Sequence, residues 1–247
     1  MGGNIPTTTR VQRLRFEPKR RELEVLRVER LGTHFVGVTF TGEALADFHS
    51  ASFDDHVKFI VPGGDGAPVM RDYTPRRFDA QARELTIEFA LHGAGAAAEW
   101  AGQARPGQRV SVAGPRGSFV VPMDYAWHLL VGDDSALPAI ARRLEELPAG
   151  ARAIVVAQVA DAGDRRAFES RADIDVQWVA QPQQLVDAVR ALALPAGEGY
   201  AWCAAESGIA AALRRVLVDE KGHDRHAIRA AAYWKRGAVA HHENLDG

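Results

Sequence analysis

The second half of the chain is organised by the stretch Trp127-His128-Leu129-Leu130-Val131-Gly132-Asp133-Asp134-Ser135. Its first six residues are almost continuously apolar, a pattern that indicates a strand buried on both faces. The acidic residues and the serine that follow can cap a helix, which we expect over residues 136–147. A buried strand that leads directly into a capped helix predicts one unit of a parallel sheet.

Further strands and helices alternate along the same half of the chain. We predict strands at residues 153–159, 200–204 and 228–233, and helices at residues 183–192 and 207–220. Because strands that alternate with helices are typical of a parallel sheet with helices on both faces, we expect a doubly wound fold. We place this α/β domain at residues 123–247, since Pro122 interrupts the pattern that precedes it.

The first half has the pattern of a small antiparallel β-barrel. Apolar and polar residues alternate over residues 22–41, which indicates two strands joined at residues 31–34. We expect further strands at residues 56–62, 84–91 and 108–113, and one short helix near residues 97–101. Short strands separated by glycine- and proline-containing turns are typical of such barrels. We therefore predict a barrel domain at residues 22–122, preceded by a poorly ordered basic leader at residues 1–21.

The barrel contains one dense group of chemically useful side chains, Arg71-Asp72-Tyr73-Thr74-Pro75-Arg76. Guanidinium groups can meet phosphate oxygens with paired donors. Tyr73 can lie against a flat ring, and Thr74 can offer a polar contact at the edge of that ring. A flat ring that carries phosphate would use all of these groups at once. A charged surface turn between two strands is the alternative that these six residues leave open.

A second element follows a predicted strand and opens the short helix, His92-Gly93-Ala94-Gly95-Ala96-Ala97-Ala98. Small residues at a helix start allow backbone N–H groups to approach a pyrophosphate closely. Taken alone, the segment is better explained as a glycine-softened turn into an alanine-rich helix. Because Arg71 lies in the same barrel, the two elements together favour a diphosphate bound from two sides.

Two segments of the α/β half lie where ligands bind in doubly wound sheets, at the carboxyl ends of strands. They are Gly132-Asp133-Asp134-Ser135-Ala136-Leu137-Pro138 and Trp202-Cys203-Ala204-Ala205-Glu206-Ser207-Gly208. The first lacks the glycine fingerprint of dinucleotide-binding folds, and a plain helix cap would also explain it. A cap and a nucleotide-binding role are compatible, and both remain open.

Composition excludes several classes of protein. The chain has 247 residues, of which 47% are hydrophobic, and a formal net charge of -2, so no global charge favours nucleic acid. Its only cysteine, Cys203, rules out an intrachain disulfide framework or a cysteine-bound cluster. With neither an apolar run of membrane-spanning length nor a signal-peptide pattern, we expect a cytoplasmic monomer that has no metal site of its own.

The order of these motifs, from Arg-x-Tyr-Thr to Tyr233-Trp234-Lys235-Arg236-Gly237, resembles that of the siderophore-interacting protein family. The resemblance covers residues 22–242. It implies an FAD-binding β-barrel followed by an NAD(P)H-binding α/β domain, related to ferredoxin–NADP reductases. It further implies a flavin-dependent reductase that takes electrons from NADPH or NADH and releases iron(II) from ferric siderophores. One position departs from the family pattern, since Ala96 stands where the family usually has proline.

The resemblance also implies roles for individual residues. FAD would be held by Arg71, Tyr73, Thr74, His92, Gly95, Ala97 and Ala98. Thr74 would lie beside the reacting nitrogen of the flavin, which makes it the one candidate catalytic residue. The nicotinamide nucleotide would be held by Asp134, Ser135, Ala136, Glu206 and Ser207. The anionic ferric chelate would be met by Lys58, Arg116, Lys235 and Arg236.

Two other functions fit the same sequence. The chain could pass electrons from FAD to a protein partner, with ferredoxin as a possible partner, or it could bind a ferric siderophore without catalysis. The choice between NADPH and NADH is also open. Arg165 and Arg166 could meet a 2′-phosphate, whereas Asp161 and Asp164 could meet a ribose hydroxyl.

Overall fold

The structure is a computed structural model that describes residues 10–63, 66–91, 95–238 and 243–245. Within these ranges the strands form three sheets, of two, seven and six strands. The first nine strands are β1 Gln12–Arg15, β2 Arg20–Arg30, β3 Phe35–Thr41, β4 Val57–Pro62, β5 Pro68–Tyr73, β6 Arg77–Asp79, β7 Glu84–Ala90, β8 Arg109–Ala113 and β9 Gly117–Val120, with helix α1 at Ala96–Gly102. The seven-stranded sheet therefore lies within the first half of the chain.

The seven-stranded sheet has the order β5-β4-β8-β2-β3-β7-β6, and its neighbouring strands are antiparallel. Alternate side chains point inward, as in β2, where Leu23 and Val25 are buried and their neighbours are exposed. The inward side chains, Phe40, Phe59 and Phe89 among them, share one core with α1. The antiparallel barrel domain expected from the alternating pattern is confirmed.

The second half contains β10 Trp127–Gly132, β11 Arg152–Gln158, β12 Asp173–Val179, β13 Gly199–Glu206, β14 Ile228–Trp234 and β15 Glu243–Asn244. The helices are α2 Leu137–Glu146, α3 Pro182–Ala191 and α4 Ser207–Arg215. The sheet order is β12-β11-β10-β13-β14-β15, parallel from β12 to β14, while the short β15 is antiparallel.

The sheet is wound on both faces, as β10 illustrates. Leu130 packs into the core that contains Ile140 of α2. Leu129 and Val131 point the other way, into the core formed with α3 and α4. At the end of the strand, a Cβ on Gly132 would lie 2.3 Å from the Cβ of Ala136, so only glycine lets the chain turn this closely into α2. The doubly wound parallel sheet is confirmed.

One local expectation is wrong, that of a poorly ordered leader over residues 1–21. Part of the expected poorly ordered leader is strand β1, paired with β9, and β2 begins at Arg20 within the same segment. Strand β12 was not predicted, because its alternating pattern belongs to an edge strand with polar residues on one side. The helix predicted over 207–220 is confirmed, since α4 is continued directly by a π-helix from Val216 to Glu220. The arginine-rich motif is not only a surface turn, since Arg71–Tyr73 belong to β5.

Candidate functional site

A cavity of about 530 Å³ lies where the two large sheets meet. Its wall combines residues in and beside the first sheet and α1 with residues that follow β10 and residues at the end of β14. It is lined by Phe35, His56, Arg71, Asp72, Tyr73, Thr74, Glu88, Ala90, Gly95, Ala97, Ala98, Asp134, Ser135, Pro138, Tyr233, Trp234 and Ala238. The cavity therefore brings together eight of the sequence-predicted cofactor residues, from motifs as far apart as Arg71 and Ser135.

The end of β5 supplies the aromatic and hydroxyl groups of this wall. The Tyr73 ring lies 4.4 Å from the ring of Phe89 and 5.8 Å from that of Phe59, between centroids. Burial raises the pKa of the Tyr73 phenol to about 12, so the group stays neutral at physiological pH. Thr74 is buried at the cavity wall, directly after the strand.

Arg71 supplies positive charge at the same wall. Its Nη1 donates a hydrogen bond to the carbonyl oxygen of Met70 over 2.9 Å. Among the residues that the structure describes, no ion pair is formed by Arg71. A guanidinium that has no protein carboxylate beside it is available to an anionic group of a ligand.

The start of α1 contributes only small side chains to the cavity. A Cβ added to Gly95 would meet nothing within 4 Å, and Ala97 and Ala98 complete this part of the wall. A ligand backbone or phosphate can therefore approach the main chain here. The expected contribution of His92 lies outside the described residues. Together with Arg71 and Tyr73, this open wall fits a flavin that carries a diphosphate.

Asp133 fixes the geometry of the opposite wall. Its Oδ1 accepts a hydrogen bond from the backbone N–H of Ser135 over 3.0 Å, and a second from the Ser135 hydroxyl. Its Oδ2 accepts from the backbone N–H of Glu206 over 3.0 Å and from Nε1 of Trp234 over 2.8 Å. One carboxyl group thus joins the ends of β10, β13 and β14. Burial, with the nearby charge of Asp134, raises its pKa to about 6.

The predicted nicotinamide residues are only partly gathered at the cavity. Asp134 and Ser135 line it, whereas the side chain of Ala136 is fully buried and does not. Glu206 accepts a hydrogen bond from the N–H of Gly208 over 2.7 Å and so caps α4, where Ser207 is the first residue. Neither Glu206 nor Ser207 lines the cavity, although Glu206 is tied to its wall through Asp133.

A buried polar cluster crosses from the first sheet domain to the second, and no motif or periodicity in the sequence indicated it. Asp54 accepts hydrogen bonds from Nε of Arg229 and, over 2.9 Å, from the Tyr233 hydroxyl. The Tyr233 hydroxyl also contacts the side chain of Thr74. Burial and the charge of Asp54 raise the pKa of Tyr233 well above its usual value. Because Thr74 and Tyr233 both line the cavity, this cluster fixes the two domains relative to each other at the site.

The predicted substrate residues lie apart from one another. Lys58 forms an ion pair with Asp72, with 2.7 Å between Nζ and Oδ2. Lys235 and Arg236 are exposed and directly follow Trp234, which lines the cavity. Arg116 is exposed, and its carbonyl oxygen accepts a hydrogen bond from the N–H of Phe16. Lys58 and the pair after β14 therefore adjoin the cavity, whereas no described contact joins Arg116 to it.

An antiparallel barrel followed by a doubly wound parallel sheet, with a cavity at their junction, is a fold shared with the ferredoxin reductase of carbazole 1,9a-dioxygenase, at 20% identity and a TM-score of 0.66. Within this class, the family model of the siderophore-interacting FAD-binding domain matches residues 24–67 and 61–119. The model of the siderophore-interacting protein matches residues 125–237. The chain therefore belongs to the siderophore-interacting protein family, and its first half is the FAD-binding domain of that family.

Individual relatives agree with this assignment. The NADPH-dependent ferric-chelate reductase of Escherichia coli (strain K12) is 39% identical over 245 residues, which cover 90% of this chain and 96% of that protein. The ferric vibriobactin reductase ViuB of Vibrio cholerae is 32% identical, covering 90% and 93%. A siderophore utilization protein from T. fusca has a solved structure that matches with a TM-score of 0.86 and 33% identity, covering 92% and 97%. The family and the FAD cofactor expected from the motifs are confirmed.

Proposed function

We propose that this protein is an FAD-dependent reductase that uses NADPH to reduce ferric siderophores and so releases iron(II). The observation that carries the proposal is the shared cavity, in which Arg71, Tyr73 and Thr74 face Asp134 and Ser135 across the junction of the two sheets. The names of the relatives from Escherichia coli and Vibrio cholerae support the same reaction.

In this proposal the first sheet and α1 hold FAD. Tyr73 provides the neutral aromatic face, Arg71 meets phosphate, and Thr74 offers its hydroxyl beside the reacting edge of the ring. Gly95, Ala97 and Ala98 surround the diphosphate, and the family resemblance assigns His92, outside the described residues, to the same group. FAD, when bound, accepts the two electrons of a hydride together and gives them up singly. The side chains bind and orient, and none is needed as a general acid or base.

The opposite wall holds the electron donor. Asp134 and Ser135 contact the nicotinamide nucleotide directly, while Ala136, Glu206 and Ser207 shape the strand ends behind them. Because Asp133 holds these ends together, the donor meets a preformed surface. The hydride of one NADPH carries two electrons, so it reduces two ferric ions and leaves NADP⁺ and one proton.

The substrate approaches from the side of Lys58, Lys235 and Arg236, with Arg116 as a more distant member of the group. Positive charge raises the local concentration of an anionic chelate. Reduction releases the metal because hard oxygen ligands hold iron(III) more strongly than iron(II). No active-site group has to cleave the siderophore itself.

The domain limits, assembly and location belong to the same proposal. We assign FAD binding to residues 22–122 and nucleotide binding to residues 123–247, which agrees with the positions of the two large sheets. We expect a monomer, since both walls of the cavity come from one chain. None of the helices in the described part of the chain combines the length and apolar character needed to cross a bilayer. A cytoplasmic location is proposed because NADPH and a reduced buried Cys203 suit that compartment.

The test is an anaerobic absorption experiment on the purified protein loaded with FAD. NADPH should bleach the flavin bands, and a ferric siderophore should restore them while a chelator traps iron(II). Bleaching without recovery by any ferric chelate would contradict the proposal and direct attention to a protein acceptor, with ferredoxin the first to test. If the protein takes up no FAD but binds a ferric siderophore, it would be a siderophore-binding protein without reductase activity.

A further inference from the structure

Asp72 lies directly across from Lys58 in the first sheet. The two residues are register partners on the antiparallel strands β5 and β4, and their side chains form the ion pair with 2.7 Å between Nζ and Oδ2. The side chain of Asp72 is 19% exposed and that of Lys58 is 41% exposed. The lysine that the substrate would meet is therefore already next to a negative charge.

The carboxyl group of Asp72 has few other contacts. Its Oδ1 is buried and, within the described part of the chain, accepts no hydrogen bond. No backbone N–H is described as a donor to either oxygen, so the ion pair with Lys58 is the interaction that orients the group. Asp72 also lines the cavity, which places its charge on the surface that a bound chelate faces.

We propose that Asp72 determines specificity by neutralising Lys58 and so disfavours the most highly anionic ferric chelates. The inference rests on the proposed reductase function and deepens it by naming which substrates the site discriminates against. At short range a carboxylate cancels most of the field of its ammonium partner, so the pair attracts a trianion little more than it attracts a neutral molecule. A chelate of low charge does not depend on this field.

In this proposal the net charge of the Asp72–Lys58 pair controls the preference between highly anionic and neutral chelates. Asp72→Asn leaves the lysine uncompensated and gives the pair a charge of one positive unit. Lys58→Gln leaves the carboxylate and gives one negative unit, and the double variant is neutral, as the unchanged protein is. If charge governs specificity, the four proteins should be ordered by it, with the double variant close to the unchanged protein. A purely structural role of the ion pair would make both single variants and the double variant poor.

The test measures kcat/KM with NADPH for two chelates, an iron(III) tris-catecholate of charge −3 and a neutral iron(III) tris-hydroxamate. We expect Asp72→Asn to raise the catecholate-to-hydroxamate ratio roughly ten-fold at low salt. The added positive charge attracts the three negative charges of the catecholate complex and has no net charge to attract on the hydroxamate complex. Lys58→Gln should lower the ratio, and high salt should remove most of both effects. The control is Asp175→Asn, which makes the same charge change at an exposed position on the edge strand β12.

The outcomes distinguish a failure of the proposed reductase function from a failure of the proposed role of Asp72. Failure of the unchanged protein to reduce either chelate would overturn the proposed function. Reduction by the unchanged protein, with a ratio that Asp72→Asn does not move or moves only as far as Asp175→Asn does, would overturn the role of Asp72. A double variant that resembles Lys58→Gln would also overturn it, because the charge of the pair would then not control the ratio.

Discussion

Nε1 of Trp234 donates a hydrogen bond to Oδ2 of Asp133 over 2.8 Å. The tryptophan is the last residue of β14 and the aspartate directly follows β10, two strands that are separated in the sheet by β13. The same carboxylate oxygen accepts the N–H of Glu206, at the end of β13. A single buried carboxyl group therefore sets the positions of three strand ends that form one wall of the cavity, and Trp234, 39% exposed, remains at its surface.

We expect Asp133→Asn to destabilise the protein. The amide group would place a donor where the carboxylate now accepts, so at least one of its backbone or side-chain partners would lose its acceptor in a buried site. A loss of about 2 kcal/mol in the free energy of unfolding follows from the cost of such an unsatisfied group. Urea unfolding of the two proteins measures it, with the exposed Asp175→Asn as the control. Equal midpoints for Asp133→Asn and the unchanged protein would contradict the role of Asp133.

The raised pKa of Asp133 gives a separate prediction on pH. Its pKa is about 6 in the folded protein against 3.8 for an ordinary aspartate, so the folded state binds a proton more tightly than the unfolded state does. The stability linked to that proton is fully present below pH 4 and is lost as pH rises through 6. The free energy of unfolding, relative to Asp133→Asn, should fall by roughly 2–3 kcal/mol between pH 4 and pH 7. A difference that stays constant or rises over this range would contradict the shift.

Periodicity was sufficient to predict the elements that belong to a core. The apolar run at 127–132 and the alternating residues at 22–41 both form strands. A strand buried on both faces is continuously apolar, whereas a strand buried on one face alternates between apolar and polar residues. Strand β12 left a weaker pattern, since Asp173, Asp175 and Gln177 occupy its exposed side at the edge of the sheet. Strand β1 is fully exposed along its length, so its pairing with β9 could not be predicted from apolar spacing.

Residues of the site could be predicted only where they belong to a short sequence motif. Arg71, Tyr73 and Thr74 lie in one short segment with Asp134 and Ser135 in another, and the structure brings both segments to one cavity. Asp54 gave no local signal, because its partners Arg229 and Tyr233 are some 175 residues away along the chain. Contacts of this range depend on how the two domains pack, which neither period nor propensity encodes.

Asp54→Ala should be among the most damaging single substitutions in the chain. The guanidinium of Arg229 would remain buried without its carboxylate, and breaking a buried pair in this way costs about 3–5 kcal/mol. Thermal unfolding with and without FAD measures the loss. Tyr233→Phe is the matched variant, because it keeps the ion pair and removes only the hydroxyl contacts with Asp54 and Thr74, and we expect it to cost about 1–2 kcal/mol. Similar losses for the two variants would show that the ion pair contributes little.

Gly132→Ala tests the close turn from β10 into α2. The added Cβ would lie 2.3 Å from the Cβ of Ala136 and 2.7 Å from the carbonyl oxygen of Ala204, so the chain must shift. We expect a loss of about 1–3 kcal/mol in unfolding free energy, the usual cost of overpacking. Gly102→Ala is the control, since the nearest atom to its added Cβ is 4.0 Å away. Tolerance of Gly132→Ala at the level of the control would mean that this turn is not sterically determined.

Tyr73 offers a test of how the cavity holds its cofactor. The ring is fixed by Phe89 and Phe59, and its pKa of about 12 keeps the phenol neutral. If the ring face binds the flavin, Tyr73→Ala should weaken FAD binding roughly ten-fold, in line with the energy of an aromatic pair. Tyr73→Phe retains the ring and should stay within about three-fold of the unchanged protein. Flavin fluorescence titration from pH 6 to pH 9 measures both, and the Tyr73 contribution should not vary with pH, because the phenol does not ionise there. An affinity that falls equally in both variants, or that follows pH only when the hydroxyl is present, would assign the interaction to the hydroxyl group and not to the ring.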